Sequence, residues 1–241
     1  MVFTIAIAAF IATFIGGLIA LRFKDKLHLI LGFSAGAVIA VAFFEILPEA
    51  IKLGEGTYDA GLITSIVGLG FAVYLILDRL ILIHSHGGEL TEHHVNNKRG
   101  TLGAGSLSFH SFLDGVAIGL AFQVSEAVGI IIATAVLVHD FSDGINTVNL
   151  VLKNGGTVKK ALRWVATDAL APVLGILSTL FFTVQATTLS LILALFSGFF
   201  LYIGASDLIP ESYHAHPVRW TTLSTVLGIA TLYSVIQLAG I

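Results

Sequence analysis

Two strings in the middle of this 241-residue chain place a histidine and an aspartate four residues apart: HSFLDG from His110 to Gly115, and HDFSDG from His139 to Gly144. Each reads His-x-Phe-x-Asp-Gly. Residues i and i+4 share a helix face, so His110 can stand beside Asp114 and His139 beside Asp143. Two such helices side by side would offer two imidazoles and two carboxylates to one ion. Imidazole suits zinc and iron, and added carboxylates also admit manganese. Asp140 and Ser111 hold equivalent positions after each histidine and widen the candidate set. Asn146 and Asn149 continue a polar track along the second helix. The same side chains could instead form buried hydrogen bonds that fix helix register, but two copies on neighbouring helices favour a metal or proton pathway.

The elements that carry these strings must lie in lipid. Hydrophobic residues make up 56% of the chain and charged ones 11%, and the mean hydropathy is +0.95. A soluble domain of this size could not hide so much apolar surface. The apolar runs are long enough to cross a hydrocarbon core of roughly 30 Å, which needs about 20 helical residues. Spans are expected at 2–21, 28–51, 60–83, 101–123, 127–152, 158–183, 187–209 and 218–240. The expected fold is therefore all-α, a polytopic protein of eight transmembrane helices in the cell membrane. The segments are too long for the roughly 10-residue strands of an outer-membrane barrel. Glycines set four apart, such as Gly32 and Gly36 or Gly115 and Gly119, would let helices approach one another.

Basic residues orient the bundle. Of the twelve Lys and Arg, all but Lys52 fall on the side of the loops that follow spans 1, 3, 5 and 7. By the positive-inside rule that side is cytoplasmic, with both termini outside. The net charge of −3 offers no nucleic-acid surface, and there is no cysteine to form a disulfide.

A second duplication frames the first. Span 2 ends in Glu45-Ile46-Leu47-Pro48-Glu49, and span 7 ends in Asp207-Leu208-Ile209-Pro210-Glu211. Acid-x-x-Pro-Glu thus occurs twice, on spans that run in opposite directions, as spans 4 and 5 also do. The order of related motifs is mirrored about the centre, the trace an inverted repeat would leave, with a substrate site near the midplane. Proline frees a backbone carbonyl and can kink a helix. That places Glu45, Glu49, Asp207 and Glu211 at the mouths of a pathway, or else as caps at the interface.

These residues carry a resemblance to the ZIP (Zrt-, Irt-like protein) metal transporters over essentially the whole chain. The family's fourth-span motif, His-Asn-x-x-Glu-Gly, is matched by His110, Ser111, Asp114 and Gly115. Its fifth-span motif is matched by His139, Asp140, Asp143 and Gly144, and the Leu-Pro-Glu ends of spans 2 and 7 are also similar. The chain departs from the pattern in its shorter acids, in Leu113 and Ser142 where proline is usual, and in Ser111 for asparagine. Some members carry Glu-Pro in span 6, where this chain has Ala171-Pro172, with Asp168 one turn away. One principal ion is therefore expected rather than two.

The resemblance implies transport of a divalent transition metal into the cytoplasm, zinc first, with iron or manganese as other substrates. His110, Asp114, His139, Asp140 and Asp143 are the expected ligands. The segment 84–100 would be a cytoplasmic loop, whose His84, His86, His93 and His94 act either as a weak chelator or as a neutral linker. No resident cofactor is implied. The expected partners are the metal ion and the lipid bilayer, with a homodimer as a further option. Two alternatives use similar residues: a metal/proton antiporter for efflux, and an intramembrane metal-dependent hydrolase, although no His-Glu-x-x-His occurs.

Overall fold

The computed structural model describes residues 1–22, 28–84, 92–213 and 218–239. Eight helices among them are long and apolar enough to cross a membrane. They are span 1, Val2–Arg22; span 2, Leu29–Gly54; span 3, Ala60–Arg79; span 4, Gly100–Val124; span 5, Glu126–Leu152; span 6, Val158–Phe181; span 7, Ala186–Ser206; and span 8, Arg219–Leu238. In lipid only such internally hydrogen-bonded segments avoid exposing bare backbone groups. Among the described residues, backbone is helical up to His84 and from Glu92 onward, so both described ends of the expected 84–100 loop are helical. His86 lies outside the described residues, and His84, His93 and His94 are placed by their backbone alone.

Spans 1, 4, 5 and 6 pack on one another, as do spans 2, 3, 7 and 8, and the two four-helix bundles meet chiefly along span 2 against span 5. Glycines set the closest seams. Gly16 of span 1 lies against the Phe141 backbone and Gly144 of span 5 against that of Thr13; Gly115 of span 4 lies against Pro172 and Gly175 of span 6 against Phe112. In the other bundle Gly36 abuts Thr225 and Gly228 abuts Phe33, while Gly70 abuts Leu195 and Gly198 abuts Val67. At each of these positions a Cβ would run into backbone across the seam, so only glycine permits the approach.

The four seams, 1 on 5, 4 on 6, 2 on 8 and 3 on 7, form two matched sets. They interchange when span 1 is carried onto 6, 2 onto 7, 3 onto 8 and 4 onto 5. A strict mirror order would relate 1 with 8 and 3 with 6. The repeat therefore keeps the two expected motif pairs, 2 with 7 and 4 with 5, but runs its flanking triplets in the same sequence order.

The prolines of spans 2 and 7 act as the repeat requires. Each span widens into a π turn just before its proline, Ala42–Ile46 ahead of Pro48 and Ile203–Leu208 ahead of Pro210. The Leu47 N–H donates to the Ala42 carbonyl and the Ile209 N–H to that of Gly204, five residues back in both cases. Proline has no N–H and its ring crowds the carbonyl four residues earlier, so an extra residue in the turn relieves both problems. Ser197 of span 7 then donates to the Ala42 carbonyl at 3.1 Å, capping the widened turn across the seam.

Candidate metal centre

The link between spans 4 and 5 is a single residue. Ser125 is extended, and its hydroxyl accepts the Val128 N–H at 3.2 Å as the N-cap of the helix that begins at Glu126. So short a connection forces the two spans to lie antiparallel and adjacent. His110 precedes Ser125 by fifteen residues and His139 follows it by fourteen. At 1.5 Å per residue both stand about 21–23 Å from the turn, at nearly one level. Asp114 lies one helical turn nearer the connection and Asp143 one turn farther away, so the carboxylates bracket the imidazoles from above and below.

The observed geometry follows. One ligand atom from each of His110, Asp114, His139 and Asp143 falls within a group spanning at most 4.8 Å, and all four residues are buried. His110 Nε2 is 3.1 Å from Asp114 Oδ2 and 3.5 Å from Asp143 Oδ2; His139 Nε2 is 3.1 Å and 3.9 Å from the same two atoms. A tetrahedral zinc with bonds of roughly 2.0–2.1 Å holds its donor atoms about 3.3 Å apart. The four His–Asp separations bracket that value, and the 4.8 Å limit on the whole group leaves side-chain movements of the order of 1 Å for the donors to close on an ion.

Hydrogen bonding aims the donors inward. His139 Nδ1 lies 3.1 Å from the Ala135 carbonyl, which can only accept. Nδ1 therefore carries a proton, and Nε2, 3.1 Å from Asp114 Oδ2, presents its lone pair to the cluster once it gives up the proton it shares with that carboxylate. His110 Nε2 and Asp143 Oδ2 are buried with no hydrogen-bond partner among the described residues. Lone pairs converging in a dry interior repel one another unless a cation lies between them. Two ionised aspartates with two neutral imidazoles balance the charge of one divalent ion. Rings exclude water around the cluster: His110 stacks on His139 at a centroid distance of 5.6 Å, Tyr74 packs edge-on to His110 at 6.0 Å, and Phe200 packs edge-on to His139 at 5.8 Å.

The other expected residues divide. Asp140 is fully buried with both carboxylate oxygens unpartnered among the described residues, and it lies outside the four-donor group. One residue past His139, it points about 100° away around the helix. Ser111 is committed elsewhere, its hydroxyl 2.8 Å from Asp168 Oδ1, while Thr147 donates to Asp168 Oδ2 at 2.7 Å. Asp168 thus knits spans 4, 5 and 6 together. The sequence held one signal for Thr147: it lies two turns beyond Asp140 on one face of span 5. Asn146 is half-buried, with its Oδ1 unpartnered among the described residues, one turn beyond Asp143. On span 2, Glu45 is buried with Oε1 unpartnered among the described residues, whereas Glu49 pairs with Lys52 at 3.2 Å. Asp207 and Glu211 lie in the matching stretch just past the end of span 7, in the π turn and the short helix Ile209–Ser212.

A family model described as "ZIP Zinc transporter" matches residues 99–236. The chain is 28% identical over 248 residues to "Zinc transporter ZupT" of Corynebacterium aurimucosum, an alignment covering 95% of this chain and 94% of that protein. It is 24% identical over 227 residues to "Zinc transporter YKE4" of Saccharomyces cerevisiae, covering 81% of the chain and 65% of the relative. It is also 35% identical over 106 residues to "Zinc transporter ZIP6" of Homo sapiens, covering 44% of the chain and 14% of the much longer relative. The family match, the eight spans and the buried His/Asp cluster lead to one conclusion: this integral, multi-pass membrane protein belongs to the ZIP zinc transporter family.

Proposed function

We propose that the chain carries a divalent transition metal, zinc foremost, across the membrane into the cytoplasm through the His110, Asp114, His139 and Asp143 centre. The observation that carries this reading is the convergence of four buried donor atoms within 4.8 Å from two antiparallel spans. Two nitrogens and two oxygens suit zinc and also accept iron or manganese. The inward direction rests on the family resemblance, and the face on the bias of basic residues.

All four ligands belong to one bundle, while Tyr74 and Phe200 cover them from the other. Displacement of one bundle against the other would uncover the centre on alternate sides, as two-sided access to a midplane site requires. Glu45 and Glu49 would attract the ion at one mouth, with Asp207 and Glu211 at the other. Asp140 and Asn146 would take the ion as it leaves the four-donor centre along span 5. His84, His86, His93 and His94 would receive it in the cytoplasm.

Sealed proteoliposomes test the proposal. Zinc should enter vesicles that contain the protein, and His139→Ala together with Asp143→Ala should abolish flux without preventing assembly. Unchanged flux in a folded double variant would remove these residues from the pathway. Cleavage of lipid or peptide without metal uptake would replace transport by hydrolysis.

A further inference from the structure

At the seam between the bundles, Ser34 of span 2 faces Ser142 of span 5, and both side chains are fully buried. Ser34 Oγ lies 3.1 Å from the Val138 carbonyl and 2.8 Å from Ser142 Oγ. A serine hydroxyl has one proton to give. Ser34 spends its proton on the carbonyl, so Ser142 must supply the one in the shorter bond. The chain of donation is thereby fixed, from Ser142 to Ser34 to Val138. Val138 and Ser142 immediately precede His139 and Asp143. Both bonds therefore land on the single turn of span 5 that presents two of the four metal donors.

This link can break without leaving a polar atom stranded. A helical serine can turn its hydroxyl back to the carbonyl four residues earlier. For Ser142 that acceptor is Val138, and for Ser34 it is Ile30. If the bundles slide, each hydroxyl keeps a partner in a dry interior, where an unmade hydrogen bond costs far more than a made one contributes. The neighbouring cross-bundle contacts, Tyr74 on His110 and Phe200 on His139, are ring packings. They lack the directional demand of a hydrogen bond.

We propose that Ser34 and Ser142 form a latch that holds the metal-bearing bundle against the other bundle in the conformation described here, and that releases as the ion is carried across. The latch rests on the transport function proposed above. Ser34 is a positioning residue: it acts on the metal through span 5 and is not a ligand.

The chain has no cysteine, so a variant with Ser34→Cys and Ser142→Cys carries the only two thiols. In proteoliposomes, oxidation should join them, lower zinc flux at least tenfold and leave zinc bound per chain unchanged. Reduction should restore flux, and oxidant should not affect the unaltered protein. Failure of the thiols to couple, or undiminished flux in the cross-linked protein, would overturn the latch. As a second measurement, Ser34→Ala and Ser142→Ala should each shift the half-saturating zinc concentration about two- to tenfold in the same direction. The double variant should shift it no further, since either change breaks the same link; additive shifts would also overturn the proposal. Absence of flux in the unaltered protein would sink the transport function instead, an outcome this control separates from failure of the latch.

Discussion

His139 Nε2 lies 3.1 Å from Asp114 on the neighbouring span but 3.9 Å from Asp143 on its own helix. The pairing within each His-x-x-x-Asp string is thus only half of the site's connectivity. Asp114 Oδ2 is within 3.1 Å of both imidazoles and is the hub of the cluster. Asp143 stands farther from each.

That asymmetry predicts unequal consequences of removing the two carboxylates. Asp114→Asn should weaken zinc binding by about a hundredfold, since even outer partners of metal ligands are worth roughly 10–100-fold. Asp143→Asn should weaken it by less. Competition against a zinc-chelating dye on purified protein measures both, and equal losses would contradict the crossed geometry.

Acid should weaken binding, with a sign set by the ligands. An ion held, as proposed, by both imidazole lone pairs and the ionised carboxylates would displace protons on binding. Zinc affinity should fall as pH drops. His139→Ala should make the slope of log affinity against pH shallower by about one, because one titrating ligand is gone. A slope unaffected by this change would place the histidine outside the coordination sphere.

The Asp168 knot should matter for stability before it matters for binding. Asp168→Ala removes the acceptor for both Ser111 and Thr147. Thermal unfolding in detergent should register a loss of about 1–2 kcal/mol. Asp168→Asn keeps one carbonyl acceptor and should lose less. Equal losses would show that the hydroxyls do not depend on the carboxylate's two oxygens.

Glycine substitutions separate seam from surface. At Gly115 a Cβ would meet the Pro172 backbone, whereas at Gly68 it would meet nothing within 4 Å. Gly115→Ala should destabilise by about 1–3 kcal/mol through forced separation of spans 4 and 6. Gly68→Ala should be neutral or mildly stabilising, as expected for replacing a helical glycine that touches nothing. Matching melting temperatures for the two variants would refute the close approach at Gly115.

Much of this protein was legible in its amino-acid order, because lipid imposes constraints that act locally. A helix in hydrocarbon must satisfy its own backbone, so eight long apolar runs specified eight helices without knowledge of their neighbours. Charges are too costly in that setting to be incidental, so His110, Asp114, His139 and Asp143 stood out by type and spacing. Even the common level of the two histidines follows from their nearly equal separation from Ser125.

Beyond the pairing of spans 4 and 5, the order of residues left open which helix lies beside which. Asp140 and Asp143 look alike in sequence, yet 100° of helical rotation per residue brings one into the four-donor cluster and turns the other away. Ser111 continues the metal string on paper, but span 6 supplies Asp168 to claim its hydroxyl. The partnering of spans 1 with 5 and 4 with 6 is fixed by glycines whose role appears only when the opposing carbonyls are in place. Tertiary structure alone decided that Ser34, more than a hundred residues from Ser142, would be its hydrogen-bond partner. Local chemistry wrote the spans and the donors, and packing between distant segments selected the contacts among them.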